Sequence, residues 1–392
     1  MSYKELFYNY PVVRNFALIQ TIAYFGAWFS NVAIYTLLIQ LGASAFIISL
    51  VAAMHLLPGA ILAPLAGSIV DRIEAKKLMM VLMSIELSMT LSFMLINTLD
   101  DVWLLLMLLF IRMGSASIFF TTQMSYLPKM LKNNNALVKA NELHSIIWSF
   151  TFTAGMALGG IVVNIFGVKI SFLIDGLFFV TAISILAKTK FHINIIQNTQ
   201  SLCRSISDGL QYLRSNKHLF NYILLHASVG LTSFDTIVTL LADYHYKYII
   251  AIPLAIGTTN AVRAFALMVG PFITKPFANK EKLHILFFAQ GLAILFWAIV
   301  QENFYMGLLG MFFTGLCTTT IWSYTYAMLQ DQIDQNYLGR VLAYNEMIFM
   351  STNVVVTLFI GLMASLTSLD IISAILACGF FLTAYLYKKV FL

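Results

Sequence analysis

Charged residues are scarce in this sequence. Lys, Arg, Asp and Glu together make up 10% of its 392 residues, whereas a soluble domain has about 25%. Hydrophobic residues account for 60% of the chain, and its mean hydropathy is +0.85. A chain with so few charged groups cannot turn all of its apolar surface inward, so we expect lipid rather than water to surround most of it.

Cysteine is rare, and sequence patterns for catalysis are missing. The three cysteines, Cys203, Cys317 and Cys378, are scattered and show neither a disulfide framework nor metal-ligand spacing. The chain has no GxxxxGK[ST] phosphate loop and no HExxH or GxSxG motif. We therefore expect no enzymatic activity, no metal and no bound cofactor. Because the chain has no phosphate loop to bind ATP, any process that needs energy would have to draw it from a gradient. Protons are the expected ion, and the gradient of a substrate itself is the alternative.

Long apolar runs are what the chain has instead. A membrane-spanning helix needs about 20 apolar residues, whereas barrel strands have about ten residues of alternating polarity. The run lengths therefore predict an all-α membrane protein with twelve transmembrane helices, called spans 1 to 12 in chain order. The runs cover residues 15–41, 45–70, 78–98, 102–125, 141–164, 168–188, 219–242, 252–274, 283–301, 304–328, 341–366 and 369–387.

The basic residues indicate topology rather than a polyanionic partner. The net charge is +6, and 19 of the 23 Lys and Arg residues fall in the termini and in alternate loops. Such a bias marks the cytoplasmic side of a membrane. We therefore expect a multi-pass cell-membrane protein, in a bacterial inner membrane, with both termini in the cytoplasm. Its expected partners are a small-molecule substrate and the lipid bilayer, not nucleic acid.

The chain reads as two related halves. A polar, basic stretch at 189–218 divides the runs six and six, which predicts a bundle at 1–188, a cytoplasmic linker and a second bundle at 219–392. Leu210 and its neighbours predict a short amphipathic helix on the membrane surface within that linker. An offset of 204 residues places Asn31 on Asp235 and repeats the Asn-Glu pair of residues 141–142 at 345–346.

The segment between spans 2 and 3 carries the most specific motif. It reads GSIVDRIEAKK over residues 67–77, with Gly67, Asp71, Arg72, Lys76 and Lys77 in a fixed spacing. It resembles the loop between helices 2 and 3 of major facilitator superfamily transporters. Gly67 would let span 2 approach a neighbouring helix closely, and Asp71 would lie at the positive end of a facing helix. The resemblance implies a cytoplasmic latch that favours the outward-facing state. A loop that only fixes topology is the alternative.

Three further segments narrow the resemblance. Residues 27–80, 113–143 and 154–160 are similar to the efflux branch of that superfamily, which includes macrolide and enterobactin exporters. In AGMALGG, Gly155, Gly159 and Gly160 match the glycines of the helix-5 antiporter motif, while Met156 replaces its proline. The resemblance implies two pseudo-symmetric six-helix bundles, a substrate held between them near the midplane, and a monomer.

The expected function follows from this resemblance. We expect a secondary active transporter that exports a small amphipathic molecule of the drug or siderophore class by alternating access, through proton-coupled antiport. A lysophospholipid flippase is the alternative, because ALVKANEL followed by a glycine-rich helix resembles that group nearly as well. An uptake permease is the third interpretation.

Charged side chains in the first six spans are candidates for proton coupling or for lining a cavity. A charge at mid-bilayer costs about 2.5–3.5 kcal/mol and usually marks function. Glu86, deep in span 3, is the leading candidate for the proton-carrying carboxylate. Arg112 resembles the arginine that proton-coupled antiporters carry in helix 4, as a relay or as the partner of a carboxylate such as Glu86. For Asp175 a structural or interfacial role is favoured.

The second half contributes further candidates. Asp235 in span 7 and its repeat mate Asn31 suggest a pair of cavity-facing positions. Arg263 in span 8 requires an acidic partner or a water-filled cavity.

Glu142 and Glu346 follow Asn and are predicted to begin the helices of spans 5 and 11, where carboxylates favour the helix N-terminus. Other side chains are predicted to be mostly packed rather than functional: His55, His226, Tyr24, Trp28, Trp148 and Trp322.

Overall fold

The protein is a multi-pass helical membrane protein, as predicted. The computed structural model describes residues 2–70, 73–131, 134–189, 202–334 and 337–392. Within these ranges, twelve helices are long and apolar enough to cross a membrane. Spans 1 to 6 contain Pro11–Gln40, Ala45–Ala53 with Leu57–Val70, Ala75–Ser92, Val102–Met130, Asn134–Phe166 and Val168–Lys188. Spans 7 to 12 contain His218–Ala227 with Asp235–Tyr244, Ile252–Thr274, Leu283–Val300, Phe304–Leu316 with Thr318–Gln330, Leu338–Met363 and Leu369–Phe391. Two short helices, Tyr3–Asn9 and Leu202–Ser215, lie outside the spans.

Spans 2, 7 and 10 are interrupted near their middles. Span 2 breaks at residues 54–56, just before Pro58, which has no N–H to continue the helical ladder. Span 7 passes through a 3₁₀ turn, Ser228–Thr232, that packs against span 11. There the Ser233 hydroxyl donates to Asn353 Oδ1 at 2.6 Å. Interrupted helices leave backbone groups free at membrane depth, which is tolerated where they are buried in protein or line a cavity.

Glycine permits close packing inside the first bundle. A Cβ at Gly155 would lie 2.8 Å from the Cβ of Trp28, and one at Gly159 would lie 3.0 Å from the carbonyl oxygen of Phe29. Both neighbours belong to span 1. Two of the three glycines of the predicted helix-5 motif therefore serve the contact between spans 5 and 1.

The third glycine of that motif, Gly160, lies where the two bundles meet. A Cβ there would lie 2.6 Å from the carbonyl oxygen of Pro253 in span 8 and 3.3 Å from the Cα of Gly257. A related contact joins Gly361 of span 11 to Ser49 of span 2. Both contacts lie in the half of the membrane opposite the chain termini, which we call the far side.

A helix in the connection between the bundles packs onto span 11. In this linker helix, Leu202–Ser215, the ring of Tyr212 stacks on that of Tyr337 with centroids 4.2 Å apart. Asp208 Oδ2 lies 3.9 Å from Arg340 Nη1. A helix is thus present in the stretch where a short amphipathic one was predicted, while its position on the membrane surface stays a prediction. The predicted domain boundaries at 188 and 219 stay a prediction.

Thr189, the residue that follows the last helical residue of span 6, is held from two sides. Lys76 Nζ donates to the carbonyl oxygens of Ala187 and Thr189, at 2.7 and 2.8 Å. Asn15 Nδ2 donates to Thr189 Oγ1 at 3.1 Å. A lysine that satisfies the last carbonyls of a helix also complements its dipole, so these bonds fix the end of span 6 to spans 1 and 3.

Candidate functional site

A buried ion pair lies at the centre of the first bundle. Arg112 Nη2 donates to Asp175 Oδ2 at 2.8 Å, and the two side chains are 3% and 0% exposed. The Ser30 hydroxyl donates to the same carboxylate oxygen. The guanidinium also lies over the rings of Phe93 and Phe179, 5.5 and 5.7 Å from their centroids. Spans 1, 4 and 6 are therefore joined by charge-assisted hydrogen bonds, which are stronger than neutral ones.

This pairing differs from the partner suggested by sequence. Arg112 binds Asp175 rather than Glu86, and Asp175 is as central to the site as the arginine. Gly26 of span 1 makes room for it, because a Cβ there would collide with the Asp175 carboxylate. Sequence analysis did not identify Gly26 or Ser30. They lie one helical turn apart on span 1, next to Asn31, and that spacing could have indicated a helix face with room for a polar partner.

Glu86 is buried beside this pair without joining it. Its side chain is 7% exposed, and it makes no hydrogen bond or ion pair with another described residue. The charges of Arg112 and Asp175 both act on it. Its repeat mate Gln290 is bound firmly instead, donating to the carbonyl oxygen of Thr314 at 2.8 Å. The equivalent positions therefore differ: Gln290 in the second bundle is a hydrogen-bonded amide, whereas Glu86 in the first bundle is a carboxylate without a hydrogen-bond partner among the described residues.

The second bundle holds a looser arrangement of opposite charges. Arg263 Nη2 donates to the carbonyl oxygen of Thr232 at 2.6 Å, and its guanidinium lies 4.9 Å from the ring centroid of Phe234. The charge of Asp235 acts on Arg263. No ion pair joins these two side chains, and Asp235 is only partly buried at the start of the second helix of span 7. Arg263 thus uses a backbone carbonyl freed by the break in span 7.

A cluster between the bundles connects the two groups. His55 Nε2 lies 2.6 Å from Asn31 Oδ1, and the imidazole stacks on Tyr35 with centroids 6.0 Å apart. Asp235 acts electrostatically on both His55 and Tyr35. Because Ser30 and Asn31 are consecutive, span 1 links the ion pair to this cluster. Sequence analysis identified Asn31 and Asp235, but it placed His55 among packed residues and missed Tyr35.

Part of the predicted cytoplasmic motif lies outside the site. Asp71 and Arg72 fall outside the described residues, so the latch they would form stays a prediction. Gly67 lies within the helix Leu57–Val70, and Lys77 is exposed. Lys76 binds the end of span 6, within its own bundle.

Two carboxylates predicted to begin helices lie well inside them. The helix of span 5 begins at Asn134 and that of span 11 at Leu338, so Glu142 and Glu346 are both in their third turns. The prediction was wrong because the polar residues before each glutamate already form helix. Glu142 is exposed and accepts from Lys139 at 2.6 Å, whereas Glu346 is partly buried.

Three of the predicted tryptophans lie in two aromatic groups, one in each bundle. Trp28 stacks on Phe152 with centroids 4.2 Å apart and meets Trp148 edge-on at 5.8 Å. In the second bundle, Trp322 stacks on Tyr326 at 5.3 Å, beside His226. Trp148 and Trp322 are 38% and 36% exposed, so each group has open ring surface.

Comparison with known proteins decides the family. The sequence model of the Major Facilitator Superfamily matches residues 16–301, nearly three quarters of the chain. The chain belongs to the major facilitator superfamily. It is a member of a transporter family, not of an enzyme family, and the fold and the efflux resemblance inferred from sequence are confirmed.

Relatives within the superfamily include efflux proteins. Macrolide efflux protein A of Streptococcus pyogenes is 24% identical over 332 residues, covering 80% of this chain and 79% of the relative. An uncharacterized transporter of the superfamily from Bacillus subtilis, YfiS, is 25% identical over 358 residues, covering 86% and 83%. These relatives support efflux transport as the general activity.

Solved structures of the superfamily share the fold. The nucleoside transporter NupG superimposes with a TM-score of 0.74 at 12% identity, covering 97% of this chain and 98% of that one. A D-xylose–proton symporter gives 0.75 at 12% identity, covering 97% and 98%. At such identity the likeness concerns the fold alone.

Proposed function

We propose that this protein exports a small amphipathic molecule, of the drug or siderophore class, in exchange for protons. The observation that carries the proposal is Glu86, a buried carboxylate with no described partner beside a complete Arg112–Asp175 pair. The relatives named macrolide efflux proteins support the direction and the amphipathic class. The charge distribution supports cytoplasmic termini, and the family resemblance supports a monomer in a bacterial inner membrane.

A charge count explains why Glu86 is the proton carrier. Arg112 and Asp175 neutralise each other, and Arg263 and Asp235 are a second pair of opposite sign. An ionised Glu86 adds one unbalanced negative charge to this interior. Because an unpaired buried charge is costly, Glu86 holds either a proton or a positively charged part of the substrate. Exchange of one for the other at a single carboxylate gives antiport.

The aromatic groups supply the binding surface. Trp148 and Trp322 present open ring faces, one on each bundle. Ring faces bind apolar groups and attract cations. A substrate with an apolar body and a cationic or polar end would place its body on these rings and its polar end toward Glu86.

Alternating access then requires the far-side contacts to open. The Gly160–Pro253 and Gly361–Ser49 contacts join the bundles by close approach at a glycine rather than by long side chains. Such surfaces separate without leaving charges unpaired. Rocking of one bundle against the other around the central site would expose Glu86 to the outside, where the substrate leaves and a proton enters.

The test is substrate-driven proton flux in inside-out vesicles or proteoliposomes. Lipophilic cations, macrolides, siderophores and lysophospholipids are added against an imposed pH gradient, with wild type, Glu86→Gln and the matched control Glu302→Gln, an exposed acid. We expect at least one compound to dissipate the gradient in wild type and in the control but not in Glu86→Gln.

Two other results would replace the proposal. Movement of lysophospholipid without a gradient, unchanged in Glu86→Gln, would indicate the flippase. If the imposed pH gradient is dissipated only when the substrate gradient and the proton gradient point in the same direction, the result would indicate an uptake permease.

A further inference from the structure

The break in span 2 places a histidine where the backbone ladder is interrupted. The backbone N–H of His55 turns to the carbonyl oxygen of Ala52 at 3.2 Å, three residues back instead of four. The carbonyl of Val51 thereby loses its usual partner, and His55 Nδ1 lies 3.1 Å from that oxygen. The imidazole therefore completes the helix end at the break.

The other ring nitrogen also faces an oxygen. His55 Nε2 lies 2.6 Å from Asn31 Oδ1 on span 1. A neutral imidazole has one N–H and cannot donate to both Val51 and Asn31, whereas the charged ring donates to both. When the ring is neutral, either the Asn31 amide turns and donates its NH₂ to Nε2, or Nε2 keeps the proton and the bond from Nδ1 to Val51 is lost. This contact thus has two forms that differ by one proton.

The charged groups around the ring belong to both bundles. Asp235 of span 7 attracts a charged His55, and Arg112 of span 4 opposes it. Tyr35 of span 1 covers one ring face. The helix Ala45–Ala53 packs against the second helix of span 7 and against span 11. A charge on His55 therefore acts across the interface that closes the far side, and because the ring is partly exposed, water can exchange its proton.

We propose that His55 is a proton-operated contact between the bundles. With the proton bound, the ring donates to Val51 and Asn31 and attracts Asp235, which holds the far side closed. When the proton passes to water, the attraction to Asp235 is lost and the far side opens more readily. The inference rests on the proposed alternating-access function but not on Glu86 as the proton carrier.

The test measures closure of the far side directly, without substrate. Spin labels at Ser44→Cys and Tyr248→Cys, both exposed and on opposite bundles, report their distance in reconstituted protein with the native cysteines replaced. We expect the short-distance population to fall as pH rises from acidic to neutral, because the imidazole then loses its proton. In His55→Gln the population should not change with pH.

Two further variants make the result specific. His226→Gln removes a buried histidine that binds Thr325 within the second bundle, so it should keep the wild-type pH response. Asn31→Asp replaces an amide with an acceptor-only carboxylate, which favours the charged ring. Its transition should therefore move to higher pH by about one unit or more, which also shows that a folded variant responds.

The outcomes separate this inference from the proposed function. A pH response that persists in His55→Gln, or none in wild type, overturns the inference even if Glu86→Gln abolishes proton flux. A response that is lost only in His55→Gln and shifted in Asn31→Asp upholds it, even if Glu86→Gln still couples proton flux to export.

Discussion

Removal of one partner of the Arg112–Asp175 pair is expected to destabilise the first bundle strongly. At 2.8 Å, two unit charges attract by roughly 6 kcal/mol at an effective dielectric constant of 20. Their desolvation offsets most of this, so the informative quantity is the cost of removing one partner. That cost is about 3–5 kcal/mol, because the other charge is left buried and unpaired. Arg112→Gln and Asp175→Asn should each lose this amount.

The assay is a double-mutant cycle on purified protein in mixed micelles. Unfolding is driven by the mole fraction of SDS and followed by circular dichroism. In the double variant a neutral amide pair replaces the ions and no charge is stranded, so its loss should be smaller than the sum of the single losses by about 2–3 kcal/mol. Losses below about 1 kcal/mol for both single variants, or strict additivity, would refute the role assigned to the pair.

Three further predictions concern contacts elsewhere in the chain. Gly26→Ala should cost about 1–3 kcal/mol in the same unfolding assay because its methyl displaces the Asp175 carboxylate, whereas Gly339→Ala, where a Cβ meets no neighbour, should cost nothing measurable. Gly257→Val should separate spans 5 and 8, because a Cβ there already meets the carbonyl oxygen of Met156 at 2.5 Å. Labelling of single cysteines introduced at buried far-side positions should then rise in vesicles, and unchanged labelling would contradict the closure contact. Lys76→Met should destabilise the first bundle by about 1 kcal/mol, and equal loss in the exposed control Lys77→Met would show that the bonds to span 6 contribute little.

The fold was predictable because run length and loop charge are properties of the sequence alone. The breaks inside spans were not predictable, because an apolar run has the same composition whether its helix is continuous or interrupted. Pro58 hinted at the break in span 2, but span 7 has no proline, and its 3₁₀ turn depends on packing against Asn353 of span 11.

The candidate site was predictable by residue type but not by pairing. Glu86, Arg112, Asp175, Asp235 and Arg263 stand out because charges are rare in apolar spans. Which charges meet depends on how the helices rotate against each other, and periodicity within one helix does not contain that information. The ion pair also depends on Gly26 of span 1, which has no side chain and so leaves room for the Asp175 carboxylate. Composition does not reveal such a requirement.

The anchoring at the end of span 6 has a mechanical consequence. Thr189 is fixed to the first bundle, and the helix that starts at Leu202 is fixed to span 11 of the second. Thirteen peptide steps separate these two residues, and their full extension reaches about 45 Å. A rocking motion of a few ångströms is small against that length. The peptide units between the two residues therefore limit only how far apart these ends can move, and the balance between the two conformations is set by the faces of the bundles where they meet.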